Sequence, residues 1–157
     1  MKRTFAARIL VLLFVAGVAL SLAGMAQASC SKVSVAGQWA FTTNGSIAGV
    51  GPVAAVGTYF ADTWGNLKGS QTRSLNGAVA DETFTGTATV NPDCSGTDVI
   101  QVFESGTLVR TSSLSVQYDE NGRGVRAIFT SITLPDGTSL PTILTIDGSR
   151  VLAREDH

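Results

Sequence analysis

The sequence predicts an all-β domain, an antiparallel up-and-down β-barrel of eight or nine strands. Three observations point there. Beyond residue 28, apolar and polar residues alternate with a period of two, and Thr, Val, Ser and Gly dominate. Two-residue turn signals, Asn76-Gly77, Ser105-Gly106 and Asn121-Gly122, separate the alternating runs at short intervals. No segment beyond residue 28 has a convincing helical period. A meander of this kind disposes of its sheet edges by closing into a barrel. A two-sheet β-sandwich is the alternative, but its Greek-key form needs longer crossovers than these hairpins provide.

The first 28 residues read as a signal peptide. Lys2, Arg3 and Arg8 precede an uncharged apolar run from Ile9 to Leu22, and Ala26-Gln27-Ala28 is a small-x-small cleavage site. The exported chain then begins at Ser29, and residues 29–157 form a single domain that is secreted or periplasmic, without a membrane span. Two other readings stay open. The stretch Ile9–Met25 is at the short end for a spanning anchor, and Cys30 follows closely enough for lipid attachment, although Gln27 replaces the usual aliphatic residue.

The hairpins follow in order. Val53–Asp62 turns at Thr63-Trp64-Gly65 into Asn66–Leu75, and Asn76-Gly77 leads into Ala78–Val90. In that last run Thr83, Thr85, Thr87 and Thr89 share one face, and Phe84, Ala88 and Val90 share the other. Asn91 to Gly96 connects to Asp98–Glu104, and Ser105-Gly106 leads into Thr107–Tyr118. A turn at Asn121-Gly122 sets Tyr118 opposite Val125, Val116 opposite Ala127 and Leu114 opposite Phe129, with Gln117 against Arg126 and Glu120 against Arg123. All six apolar residues then share a face, and a slip of one residue would scatter them. Pro135-Asp136-Gly137 and Asp147-Gly148 mark two further reversals.

Charge and cysteine content narrow the function. The chain has 11 Lys+Arg and 12 Asp+Glu; loss of Lys2, Arg3 and Arg8 leaves 8 against 12, a mildly acidic surface. Nucleic-acid binding needs phosphate neutralisation and finds no basic stripe here. Cys30 and Cys94 are the only cysteines. In an oxidising compartment the pair reads as a disulfide stapling the N-terminus to a mid-chain turn, worth about 4 kcal/mol on the chain-entropy model. Two free thiols are the other reading, without C-x-x-C spacing to support it.

Gly37-Gln38-Trp39-Ala40-Phe41, Gly51-Pro52-Val53-Ala54-Ala55-Val56-Gly57-Thr58 with Trp64-Gly65-Asn66-Leu67, and Asn91-Pro92-Asp93-Cys94-Ser95-Gly96-Thr97 are similar to motifs of small exported bacterial proteins. Between Gly37 and Thr97 the chain resembles this family, whose members look like lipocalin-type (calycin-like) barrels. The resemblance implies the fold and export. It carries over no catalytic residue, because the shared motifs are turns and strands.

The only histidine is His157, at the end of the sequence. This removes Ser-His-Asp triads, Cys-His pairs and His-based metal sites. No metal site and no cofactor is expected: Asp119-Glu120-Asn121-Gly122 lacks the later acidic ligand of a calcium loop. Asp81-Glu82 points to opposite faces and reads as a solvated edge near Arg73. The charges within strands are more informative. The hairpin register sets Gln101 opposite Arg110 and puts Arg110 on the face of Leu114, Val116 and Tyr118, while Arg126 lies on the other face. An inward Arg110 would join Glu104, Tyr118 and Tyr59 in a ligand pocket of apolar walls and few polar groups; an outward one would be an ordinary solvated position. The sequence therefore points to an exported, non-enzymatic barrel that binds a small apolar ligand or acts as an envelope interaction module. The alternative is a small barrel enzyme of cyclase or isomerase type using Glu104, Arg110 or Tyr118 in a confined pocket. Ligand identity and oligomeric state stay open.

Overall fold

The structure, a computed structural model, describes residues 29–119 and 121–151. The expected signal peptide, His157 and the Glu120–Arg123 pairing lie outside the described residues or depend on them. Within them, one turn of helix, α1 (Lys32–Val35), precedes eight strands: β1 (Gly37–Ile47), β2 (Gly51–Ala61), β3 (Asn66–Leu75), β4 (Ala78–Val90), β5 (Ser95–Glu104), β6 (Thr107–Tyr118), β7 (Gly124–Thr133) and β8 (Thr142–Arg150). Each strand pairs antiparallel with the next, and β1 pairs with β8 to close the barrel. The sandwich is thereby excluded.

Turn chemistry sets the register. Asn76 and Gly77 both adopt positive φ, 49° and 89°, as do Ser105 and Gly106, 51° and 81°. These are the left-handed conformations of a two-residue turn whose twist matches the strands it joins. At the β6–β7 hairpin, Tyr118 opposes Val125, Val116 opposes Ala127, Leu114 opposes Phe129 and Gln117 opposes Arg126, as the apolar pattern requires. The Thr83–Thr89 row faces solvent, while Phe84 and Ala88 face the core.

Four expectations are corrected. Asp147-Gly148 is not a reversal but the middle of β8, so the strand count is eight. Gly148 is there for space: a Cβ would come within 2.8 Å of Val125 Cγ1. Gln101 opposes Thr111, and Arg110 opposes Val102, because Val109 bulges out of the β5–β6 ladder. A helix is present where none was expected; Ser31 and Ser34 cap α1 reciprocally, each side chain accepting the other's backbone N–H. Finally, Glu82 is not a solvated edge: it is 2% exposed and faces the lumen, while Asp81 is exposed.

The two barrel ends differ. At one end α1 lies across the opening as a floor. Val35 and the Cys30–Cys94 disulfide pack with Trp39, Tyr118 and Val125, and the Trp39 indole N–H donates to the Val35 carbonyl at 3.0 Å. Lys32 Nζ reaches the Trp64 carbonyl and Arg150 reaches that of Ser34, tying α1 to the rim. The opposite end carries the tight turns at 76–77 and 105–106. A second bulge, at Thr130, ends the β7–β8 ladder early there, and the following segment folds back so that Leu140 N–H bonds to the Ile132 carbonyl. This end is the mouth. Among the described residues, no helix is long and apolar enough to cross a membrane.

Candidate functional site

The lumen inherits its walls from the alternation. Inward positions supply Phe41 from β1, Phe84 from β4, Ile100 and Val102 from β5, and Leu114 from β6. Aromatic rings concentrate toward the floor. Trp39 stacks on Tyr59 at 6.2 Å, meets Tyr118 edge-on at 5.8 Å, and carries the Arg150 guanidinium 5.3 Å from its ring centre. Phe41 continues the chain of contacts to Tyr59 and Phe84, both at 5.9 Å.

Two cavities occupy this lumen. The inner one, about 50 Å³, is mainly apolar; the outer one, about 140 Å³, opens at the mouth beside Val53, Leu75 and Leu140. Thr43, Gln71, Arg110 and Phe129 border both, so a polar belt separates them. The inner space holds a few waters, and a ring enters it only as the side chains around it give way.

The belt is built around Glu82. Gln71 lies directly across the β3–β4 ladder and donates to Oε2 at 2.7 Å. Arg73 Nε donates to Oε1 at 2.7 Å. Arg110 reaches past β5 and grips both oxygens, Nη1 to Oε1 at 2.7 Å and Nη2 to Oε2 at 2.6 Å. Burial would push the Glu82 carboxyl up; the hydrogen bonds and positive charge of Arg110, helped by Gln71 and Arg73, outweigh it and hold the group at about 2. Glu104 opposes Glu82 on β5 and lies 3.6 Å from Arg73 Nη2, with its side chain 43% exposed. The two carboxylates and two guanidiniums thus balance in charge.

Each residue expected from the sequence can now be located. Arg110 faces inward, on the side of Leu114, Val116 and Tyr118, and Arg126 is 86% exposed with only a long contact to Asp147. Glu104 stands at the mouth. Tyr59 and Tyr118 lie toward the floor, so the four expected residues divide between two ends rather than forming one cluster. Burial raises both phenols above their ordinary range, and the Asp98 charge adds to each rise.

Sequence reasoning misread one acid, Glu82, as a solvated edge and passed over another, Asp98. Glu82 lies two residues before inward Phe84, and Asp98 lies two before inward Ile100, so the alternation that placed Arg110 would have placed them as well. Asp98 lines the inner cavity, and burial pushes its carboxyl up to about 7. Its Oδ1 is buried and has no hydrogen-bond partner among the described residues.

No family model and no curated protein matches the chain. Among solved structures, the fold is similar to that of a redesigned β-barrel, mFAP1, bound to DFHBI: TM-score 0.51, 16% identity, 76% of this chain and 98% of that one. The S-type phycobiliprotein lyase CPES from Guillardia theta also matches, with TM-score 0.48 and 8% identity over 82% of this chain and 97% of that one. At these identities the likeness is one of fold.

Proposed function

We propose that the chain is an exported, non-enzymatic barrel that takes a small, mostly apolar molecule into its lumen through the mouth beside Glu104. The observation that carries this reading is the two-part lumen itself, with apolar and aromatic walls crossed by one belt of convergent polar groups. Arg110 and Glu104 would meet the ligand at the belt and mouth, and Tyr59 and Tyr118 deeper in. A barrel of similar fold is bound to DFHBI, a small ligand, so the architecture is compatible with such an occupant. Export is supported by the Cys30–Cys94 disulfide, because such bonds persist in oxidising compartments. Removal of residues 1–28 by signal peptidase would leave Ser29 at the N-terminus, in the periplasm or the medium.

Native mass spectrometry of the chain, recovered after export into an oxidising compartment, tests this reading. The expected result is an intact mass beginning at Ser29, two protons short, with a co-purifying non-protein mass below a few hundred daltons. A mass without adduct, even after incubation with small apolar compounds, would move the function to an envelope interaction module.

A second reading is favoured by one observation. Tyr118 is buried at the floor against Trp39, where its phenol is protonated at neutral pH and can donate a hydrogen bond. That suits a small barrel enzyme of cyclase or isomerase type working by confinement. Conversion of a bound compound that is lost in Tyr118→Phe, with binding retained, would establish it.

A further inference from the structure

Asp98 has no part in the belt. It faces the inner chamber from β5, between Ala88 on β4 and Leu114 on β6. Its register position is four residues from Val102, which opposes Arg110, so the two backbone positions are roughly 13 Å apart along the strand at the usual rise, and Asp98 is the one nearer the floor. The ionisable groups in this half of the lumen are Tyr59 from β2, Tyr118 from β6 and Arg150 from β8, with Arg110 from β6 bordering the chamber on its belt side; Arg150 is engaged with Trp39 and the Ser34 carbonyl, and the charge of Arg110 is taken up by Glu82. None of them donates to Asp98 Oδ1.

A buried carboxylate oxygen without a donor is costly, and native interiors keep few of them. The same lumen satisfies Glu82 with four donors, so the fold is able to supply partners where they serve stability. At Asp98 the partner has to come from within the chamber, from water or from an occupant that displaces it. That occupant has to bring N–H donors and positive charge to the carboxylate and an apolar body to the walls. Aromatic rings nearby add a favourable surface for a cation. At about 50 Å³ the chamber limits the buried part to at most one ring, and takes that ring only as the surrounding side chains give way.

We propose that Asp98 anchors the ammonium group of a small hydrophobic amine, whose body lies against Phe41, Phe84 and Ile100. This rests on the ligand-binding reading above and names the class of its ligand.

The test compares benzylamine with benzyl alcohol, a neutral near-isostere, by calorimetric titration at pH 8 into the exported, disulfide-bonded chain. Quenching of Trp39 in a Trp64→Phe background reports occupancy independently, since Trp64 is exposed. Benzylamine is expected to bind at least tenfold more tightly than the alcohol. Asp98→Asn should remove that preference while leaving benzyl alcohol affinity within twofold, which also shows the variant is folded. Equal binding of amine and alcohol, or an unchanged preference in Asp98→Asn, overturns the amine anchor and leaves the ligand-binding reading standing. Absence of binding by either probe overturns the anchor as well; the broader reading is then judged separately by the native mass spectrum.

Discussion

Glu82 at the belt receives four hydrogen bonds from three side chains, whereas Asp98, deeper in the same lumen, keeps one oxygen bare. The first carboxyl is held at about 2 and the second is pushed up to about 7. Burial acts on both, so the difference comes from the partners. Arg73, Gln71 and Arg110 converge on Glu82 from β3 and β6, and no donor reaches Asp98 Oδ1. The contrast separates two settings of a buried charge: one locks strands β3, β4 and β6 across the lumen, and the other faces the inner cavity without a protein partner on Oδ1.

Removing Glu82 should break the comparison most severely. Glu82→Ala leaves the part-buried Arg110 without its counter-charge and Arg73 with only the longer contact to Glu104. Unfolding in urea should show a loss of about 3–5 kcal/mol, the usual result of removing one partner from a buried pair. Glu82 also fixes an acid limit. Its folded-state value lies below the ordinary 4.5, so its contribution is complete above that pH and is lost as pH falls toward 2. Wild-type stability should decline across that window, and Glu82→Gln should flatten the decline.

Opening the floor comes next. Replacing Cys30 and Cys94 by Ser should cost about 2–4 kcal/mol, since the bond closes a separation of 64 residues. Loss of Trp39 order should accompany it, visible as a red shift in tryptophan emission.

Asp98→Asn should act in the opposite direction. The native state holds the Asp98 proton more tightly than the unfolded chain between about pH 3.8 and 7, so stability falls as pH rises through that window. The variant should therefore be more stable at pH 8, by about 2 kcal/mol, since a shift of about three units bounds the effect near 4 and Asp98 is only partly buried. The gain should vanish by pH 4 in paired thermal melts. A gain that persists unchanged at pH 4 would mean that ionisation is not its source.

Arg126→Ala is expected to do the least. Its contact with Asp147 is exposed at both ends and 3.4 Å long, so thermal melts should coincide with wild type.

Much of this organisation was legible in the sequence. Asn76-Gly77 and Ser105-Gly106 named turns whose backbone demands are local, and the apolar set Leu114 to Phe129 admitted a single register. The disulfide followed from there being two cysteines. What escaped reading was decided by packing across the barrel. The bulge at Val109 has no turn residue to announce it, so Arg110 was set against Gln101 instead of Val102. Asp147-Gly148 has the composition of a turn, yet its glycine answers a shortage of space beside Val125 and Phe41. Glu82 was read as a solvated edge and Asp98 was passed over, because a charge at an inward position becomes credible only when its partners from β3 and β6, or their absence, can be seen.

The covalently pinned floor has a kinetic consequence. With α1 and the disulfide closing one end, the lumen is a dead end rather than a passage, so an occupant must enter and leave by the same route. Arrival and departure both pass the Glu82 belt. On the proposed ligand-binding reading, residence time would be governed there, where Arg110 and Gln71 border both cavities. A belt mutation that spares Arg110, such as Gln71→Ala, should then change both rates together more than it changes their ratio.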